Sequence, residues 1–186
     1  MSDIIICDNF LSPQYFDVLK KTVLGYEFSW YMVESATGYG ACSDSNTGFG
    51  FNHNIFENDV SYSSMQPLLA GFYGAIQEKT FCGKLLKSRI DMTVMNPSGV
   101  LHHPHIDISS KNNITVIFYI TDSLAPTVVY KNKIEKNGDD YGELQIEQEV
   151  LPKENRILIF DGKRIHNGYS PKSEVRRVLI NCNFER

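Results

Sequence analysis

At residue 85 the texture of the chain changes. Downstream, the runs Leu85–Met95, His103–Ile108, Ile114–Thr121, Thr127–Tyr130, Leu144–Val150, Arg156–Phe160, His166–Tyr169 and Val175–Phe184 are short and rich in β-branched and aromatic residues. Gly, Pro, Asn and Asp separate them, so each reads as a strand. Upstream, helical spacing dominates. Ser12-Pro13 offers an N-cap followed by Pro at the first helical position; Phe16, Leu19 and Val23 then recur on one face, and Gly25 supplies a stop. A second helix is expected from about Ser63 to Lys79, with Met65, Leu68, Leu69, Phe72 and Ile76 on its apolar face and Pro67 in its first turn. Ile4–Cys7 and Glu27–Val33 are further strand candidates. Helices followed by many short strands predict an all-β core with flanking helices, a β-sandwich or jelly roll whose helices pack on one sheet. Ile114–Ile120, apolar on both faces, suits a strand lying between those helices and the interior.

With 186 residues the chain is near the usual length of one domain, and one is expected over 1–186: supporting strand, helices and loop over 1–84, jelly-roll core over 85–186. The net charge of −4 gives no basic footprint, which disfavours nucleic acid as a partner. No apolar run approaches the roughly 18 residues that span a bilayer, and the N-terminus has no basic region ahead of its apolar residues. A soluble, cytoplasmic protein without membrane attachment is expected. Cys7, Cys42, Cys82 and Cys182 are scattered and suggest reduced thiols. Two stretches read as loops. Residues 35–54, with four glycines among Ser, Thr and Asn, suit a lid or binding loop, or a plain connector; residues 131–142, with turn chemistry at Asn137, Gly138, Asp139 and Asp140, read as an insertion.

Chemistry concentrates in His102-His103-Pro104-His105-Ile106-Asp107. In extended chain successive side chains alternate, so His105 and Asp107 emerge side by side while Ile106 points away. That is half of a metal site. Two histidines and one carboxylate on one face of an octahedron leave three positions open and suit non-haem Fe(II). The remaining candidates for a third ligand are His53 and His166. His166 follows the strand Arg156–Phe160 and its Asp161-Gly162 turn, 166 − 107 = 59 residues after Asp107, and a jelly roll can bring such distant strands together. His102 and His103 read as a solvated turn before Pro104, with substrate contact or metal binding as the other reading for His103. His53 reads as a polar loop or strand residue, and Trp30 and Tyr31 as core or pocket wall.

His105-x-Asp107, His166 and an arginine 176 − 166 = 10 residues beyond it resemble the iron(II) and 2-oxoglutarate dependent dioxygenases, in particular their prolyl-4-hydroxylase-like branch. The flanks are similar too: Leu151 to Gly162 and His166-Asn167-Gly168-Tyr169-Ser170-Pro171 look like the stretches around the distal iron histidine, and Asp8-Asn9-Phe10-Leu11-Ser12 looks like the family's opening. The resemblance implies a double-stranded β-helix (a cupin-like jelly roll), with Fe(II) held by His105, Asp107 and His166 as the catalytic centre. It further implies 2-oxoglutarate as cosubstrate, O2 as oxidant, and hydroxylation of a C–H bond, on a prolyl residue of a peptide or protein or on a small molecule, with release of succinate and CO2.

The far carboxylate of 2-oxoglutarate calls for a guanidinium, which binds it through two parallel hydrogen bonds. Arg176 shares a strand face with Val178, Ile180, Cys182 and Phe184, and Arg177 with Leu179, Asn181 and Asn183. If the more apolar face is the barrel interior, Arg176 is the anchor and Arg177 the fallback. Tyr119 stands where relatives often carry a tyrosine that hydrogen-bonds the same carboxylate. Asn96-Pro97-Ser98-Gly99 resembles the turn that precedes the first iron ligands but lacks its tyrosine, and Asp107 speaks against halogenase chemistry. Two rival functions stand beside the hydroxylase: a non-catalytic jelly-roll module that binds metal or ligand, and a nucleic-acid demethylase of the same superfamily.

Overall fold

The computed structural model describes residues 4–34, 49–109 and 112–186. Its elements in chain order are β1 (Ile5–Cys7), α1 (Pro13–Leu24), β2 (Tyr31–Val33), β3 (Gly50–Glu57), β4 (Val60–Ser61), α2 (Gln66–Thr80), β5 (Leu85–Val94), β6 (Asn113–Tyr119), β7 (Thr127–Lys133), β8 (Ile146–Val150), β9 (Arg156–Asp161), β10 (Arg164–Gly168) and β11 (Arg176–Glu185). Helix α1 begins as expected: the Ser12 hydroxyl accepts the Tyr15 N–H at 3.4 Å, and Pro13 opens the first turn. Helix α2 also carries its proline in the first turn, and Phe81 closes it in the left-handed region at φ 55°.

All strand pairs are antiparallel. The larger sheet runs β1-β9-β6-β11-β5-β3-β2 with β4 beside β3, and the smaller runs β10-β7-β8. Between the sheets lies an apolar layer of Ile117, Tyr119, Val129, Val150, Leu158, Phe160 and Leu179. On its outer face the larger sheet packs Ile90, Val116, Phe118, Ile159, Val178, Ile180, Cys182 and Phe184 against Phe16, Leu19 and Val23 of α1 and Leu69, Phe72 and Ile76 of α2. The result is the jelly-roll, double-stranded β-helix architecture with helices on one sheet, and β6 is buried along its whole length as its two-faced apolarity requires. Among the described residues no helix is long and apolar enough to cross a membrane.

The N-terminal strand is fastened at its end by Asn155, held at φ 59°. The Asn155 side-chain Oδ1 accepts the Leu11 N–H at 2.8 Å and its Nδ2 donates to the Leu11 carbonyl at 2.9 Å. Nearby, Arg156 and Lys153 hold the Asp8 carboxylate at 2.6 and 2.9 Å, and these hydrogen bonds keep its pKa well below the usual range.

Three expectations need correction. The segment His103–Ile108 is not a strand: it touches the smaller sheet through a bridge from His105 to His166. The strand expected at Glu27–Val33 covers only Tyr31–Val33. The binding loop expected at 35–54 falls largely, at 35–48, outside the described residues, and from Gly50 onward the chain is β3, paired along its length with β5.

Phe118 is the keystone of the helix-to-sheet layer, fully buried with its ring centroid 4.9 Å from Phe72, 5.9 Å from Phe16 and 6.3 Å from Phe10. Phe118→Ala is expected to lower the unfolding free energy by about 3–5 kcal/mol, measured by urea denaturation.

Candidate metal centre

The two halves of the metal site are joined by backbone first. The His105 N–H donates to the His166 carbonyl and the His166 N–H donates to the His105 carbonyl, each at 3.0 Å. This reciprocal pair is the narrow rung of an antiparallel ladder, and it sets the ring centroids 4.7 Å apart. The pairing of β10 with β7 shifts register between Arg164 and His166, the extra residues lying on β7.

The tautomers follow from the second nitrogens. His105 Nδ1 lies 2.9 Å from the His103 carbonyl and His166 Nδ1 lies 3.3 Å from the Arg164 carbonyl. A carbonyl only accepts, so each Nδ1 carries the proton and each Nε2 presents a lone pair. Those lone pairs face the Asp107 carboxylate: His105 Nε2 is 3.9 Å from Oδ1 and His166 Nε2 is 3.4 Å from Oδ2. The ligand atoms of His105, Asp107 and His166 all lie within 4.8 Å of one another, and all three residues are buried. Among the described residues His166 Nε2, a buried polar atom, finds no hydrogen-bond partner. Two imidazole lone pairs and a carboxylate converging out of water are a poor structural arrangement by themselves and a good fit for a divalent ion such as Fe(II).

The electrostatics agree with that reading. Burial pushes the His105 pKa down to about 3, so its imidazole stays neutral. Burial pushes the Asp107 pKa up, and the Arg89 guanidinium, 3.8 Å from Oδ1, works against that and helps to hold the carboxyl below its usual range. The carboxylate is also oriented. The Asn181 amide donates to Oδ1 at 3.0 Å and the Asn183 amide to Oδ2 at 3.4 Å, with Asn183 steadied on Thr115 Oγ1 at 3.0 Å.

Beside the donor set lies a cavity of about 60 Å³, lined among others by Arg89, Asp91, His102, Thr127, Asn167, Gly168, Arg177 and Asn181. Here the parity expectation is corrected. Arg177, 5% exposed, reaches into this cavity, whereas Arg176 is half-buried and lies outside it. The apolar face of β11 (Val178, Ile180, Cys182, Phe184) turns to the helices, because the larger apolar interface of a helix-backed sheet is the one with the helices. The Arg177 guanidinium donates to Thr127 Oγ1, which also receives the Tyr119 hydroxyl at 2.8 Å, and its central carbon stands 5.8 Å from the Tyr119 ring centroid. Gly168 makes room for it: a Cβ there would sit 2.8 Å from Arg177 Nη1. Among the described residues Arg177 has no carboxylate partner; its Nε is unsatisfied and burial lowers its pKa. A buried, unpaired guanidinium is a standing demand for an anion.

His102 is also corrected. It is buried, with Nε2 3.0 Å from Ser170 Oγ, and its carbonyl accepts the Asn167 amide at 2.9 Å; His103 is the exposed one. His53, by contrast, braces the far edge of the larger sheet, its ring nitrogens 2.6 Å from the Ser29 carbonyl and 2.7 Å from Ser63 Oγ. Thr127, Asn181 and Asn183 were not singled out by sequence. The polarity shared by Arg177, Asn181 and Asn183 on alternate positions of β11 was the available signal for that strand.

Comparison with known proteins places this geometry. No family model matches the sequence, and no curated protein matches it. Among solved structures, a 2OG-Fe(II) oxygenase family oxidoreductase from Burkholderia pseudomallei aligns with a TM-score of 0.66 at 11% identity, covering 99% of this chain and 86% of that one. The fold is that of the 2OG-Fe(II) oxygenases. Within that fold, a prolyl-4-hydroxylase from Pseudomonas putida aligns with a TM-score of 0.61 at 12% identity over 100% of this chain and 94% of its own. So does SnoN, an alpha-ketoglutarate dependent epimerase from nogalamycin biosynthesis, with a TM-score of 0.67 at 10% identity over 98% and 77%. The 2OG-Fe(II) oxygenase fold therefore carries more than one reaction.

Burial, with the positive charge of Arg177 second, lowers the His102 pKa from 6.5 to about 4. Below about pH 6.5 the unfolded chain takes up a proton that the folded chain refuses until about pH 4, so stability falls as the pH falls through that window. His102→Gln is expected to flatten the dependence by about 1 kcal/mol per pH unit, measured by urea unfolding of the metal-free protein between pH 6 and pH 4.5.

Proposed function

We propose that this chain is an Fe(II)- and 2-oxoglutarate-dependent dioxygenase. The observation that carries the proposal is the convergence of His105, Asp107 and His166 beside a cavity whose wall includes both histidines and a buried Arg177 that, among the described residues, lacks a carboxylate partner. One ligand answers both demands, since 2-oxoglutarate bears a keto acid for a metal at one end and a carboxylate for a guanidinium at the other. When bound, Fe(II) and 2-oxoglutarate supply the hard chemistry: one atom of O2 enters a C–H bond as hydroxyl, the other enters succinate, and CO2 leaves.

The chain's own part is orientation and exclusion of water. His105 and His166 are held with Nε2 toward the metal by their Nδ1 bonds to carbonyls. Asp107 is turned by Asn181 and Asn183, and Arg177, with Thr127 and Tyr119 behind it, receives the far carboxylate. Arg89 and Asp91, paired at 2.9 Å on the β5 wall, give the substrate side of the cavity hydrogen-bonding groups. A prolyl residue of a peptide is the first substrate to test, supported by the prolyl-4-hydroxylase of the same fold.

Anaerobic titration with Fe(II) and 2-oxoglutarate is expected to give the weak visible band of a chelated keto acid. Arg177→Met should raise the 2-oxoglutarate Kd at least tenfold, the scale of a lost charge-assisted hydrogen-bond pair, while Arg176→Ala stays within about threefold of wild type. No band with wild type, or equal loss in both variants, would refute the assignment. Succinate release stimulated by proline-containing peptides and abolished in His105→Ala is the corresponding test of turnover.

A further inference from the structure

The loop 134–145 between β7 and β8, which overlaps the insertion read from the sequence at 131–142, reaches the candidate metal centre through one side chain. The Asn137 carbonyl oxygen accepts the Ile106 N–H at 2.9 Å, and the Asn137 amide donates to the Ile106 carbonyl at 2.7 Å. The Ile106 N–H belongs to the peptide unit shared with His105, and the Ile106 carbonyl to the unit shared with Asp107. Asn137 thus grips both peptide planes that separate the two neighbouring ligands.

Among the described residues no strand pairs with Ile106 in this way. His105 is tied to His166 by the reciprocal backbone pair, but the chain beyond it is outside any strand. The Ile106 side chain, 1% exposed, is packed with Val128, Tyr130, Ile134 and Ile165, with Tyr141 and Leu144 against that cluster. Side-chain packing fixes where Ile106 sits, and the two hydrogen bonds fix how its backbone is turned. The angle between the His105 and Asp107 side chains depends on that turn.

The loop holds its shape independently of the site. The Asn132 amide donates to the Tyr141 and Glu143 carbonyls at 2.8 and 3.0 Å while its oxygen accepts the Gln145 N–H at 2.9 Å. Asp139 accepts the N–H groups of Glu135 and Lys136 at 3.2 and 3.1 Å. A preformed loop can present Asn137 at little further entropic cost. The residue type is also specific: a carboxamide offers one acceptor and donors from one planar group, as a neighbouring strand would. Asp could accept but not donate, and Ala could do neither.

We infer that Asn137 is a positioning residue that sets the relative orientation of the metal ligands His105 and Asp107. The inference rests on the reading of His105, Asp107 and His166 as a metal centre. It is tested by titrating the metal-free full chain with Co(II), without 2-oxoglutarate, and following the d–d absorption. Asn137→Ala is expected to weaken Co(II) about 10–100-fold, the scale for losing a group that orients a metal ligand, and to change the shape of the spectrum at saturation. Asn137→Asp should fall between Ala and wild type. Asp140→Ala, in the same loop but bonded to the Gly142 N–H, should keep wild-type affinity and spectrum. Hydrogen exchange at the Ile106 amide should quicken in Asn137→Ala while the urea midpoint of the metal-free protein moves little. Wild-type affinity and spectrum in Asn137→Ala would overturn the inference; were that variant to fail to fold, the same result in Asn137→Asp would do so. Absence of Co(II) binding in the wild type would instead overturn the metal centre itself, and with it this inference.

Discussion

Everything at the site hangs on the pair of backbone hydrogen bonds between His105 and His166. Two histidines far apart in sequence are brought into contact not by their side chains but by the peptide groups that carry them. The fold uses ordinary ladder geometry for this. The same economy explains the ring tautomers: the Nδ1 acceptors are carbonyls two residues earlier in the same chain segment, so each histidine is oriented locally and the long-range pair has only to bring them together.

Charge in the interior is arranged as two separated demands. Asp107 is an anion with amide donors and two imidazoles around it, and Arg177 is a cation with a hydroxyl and an aromatic ring but, among the described residues, no carboxylate bonded to it. Burying either group carries a desolvation cost that its protein partners only partly offset. A fold that tolerates both in one small cavity is less stable there than an apolar core would be, and that cost makes sense when ligands complete the site.

Much of this could be read from the sequence, and the failures have definite causes. The helices were legible because Phe16, Leu19 and Val23, or Leu69, Phe72 and Ile76, leave a periodic trace, and the long strands because Val, Ile and Phe alternate or run together. Strand β3 was not, since Gly50, Asn52, His53 and Asn54 are weak strand formers whose conformation comes from pairing with β5. The triad was legible from residue types and spacing. The expectation that the more apolar face of β11 lies inside the barrel did not hold, because alternation tells which side chains share a face but not which face meets helices; here the apolar face is the one that meets them. Asn137 was seen only as turn chemistry, because its partner Ile106 lies 31 residues away and nothing local announces it.

Strand β11 separates two environments along its length, with Arg177, Asn181 and Asn183 toward the cavity and Val178, Ile180, Cys182 and Phe184 toward the helices. A slip of one residue against β5 or β6 would exchange them, driving a guanidinium and two carboxamides into the helix layer and stripping Asp107 of its donors. Such a misalignment is penalised on both sides at once, by polar groups without partners and by apolar groups turned into a wet cavity. The residues that serve the site thereby also act as a ratchet on assembly. Replacing them with apolar side chains to gain stability would remove the feature that tells the central strand which way to face.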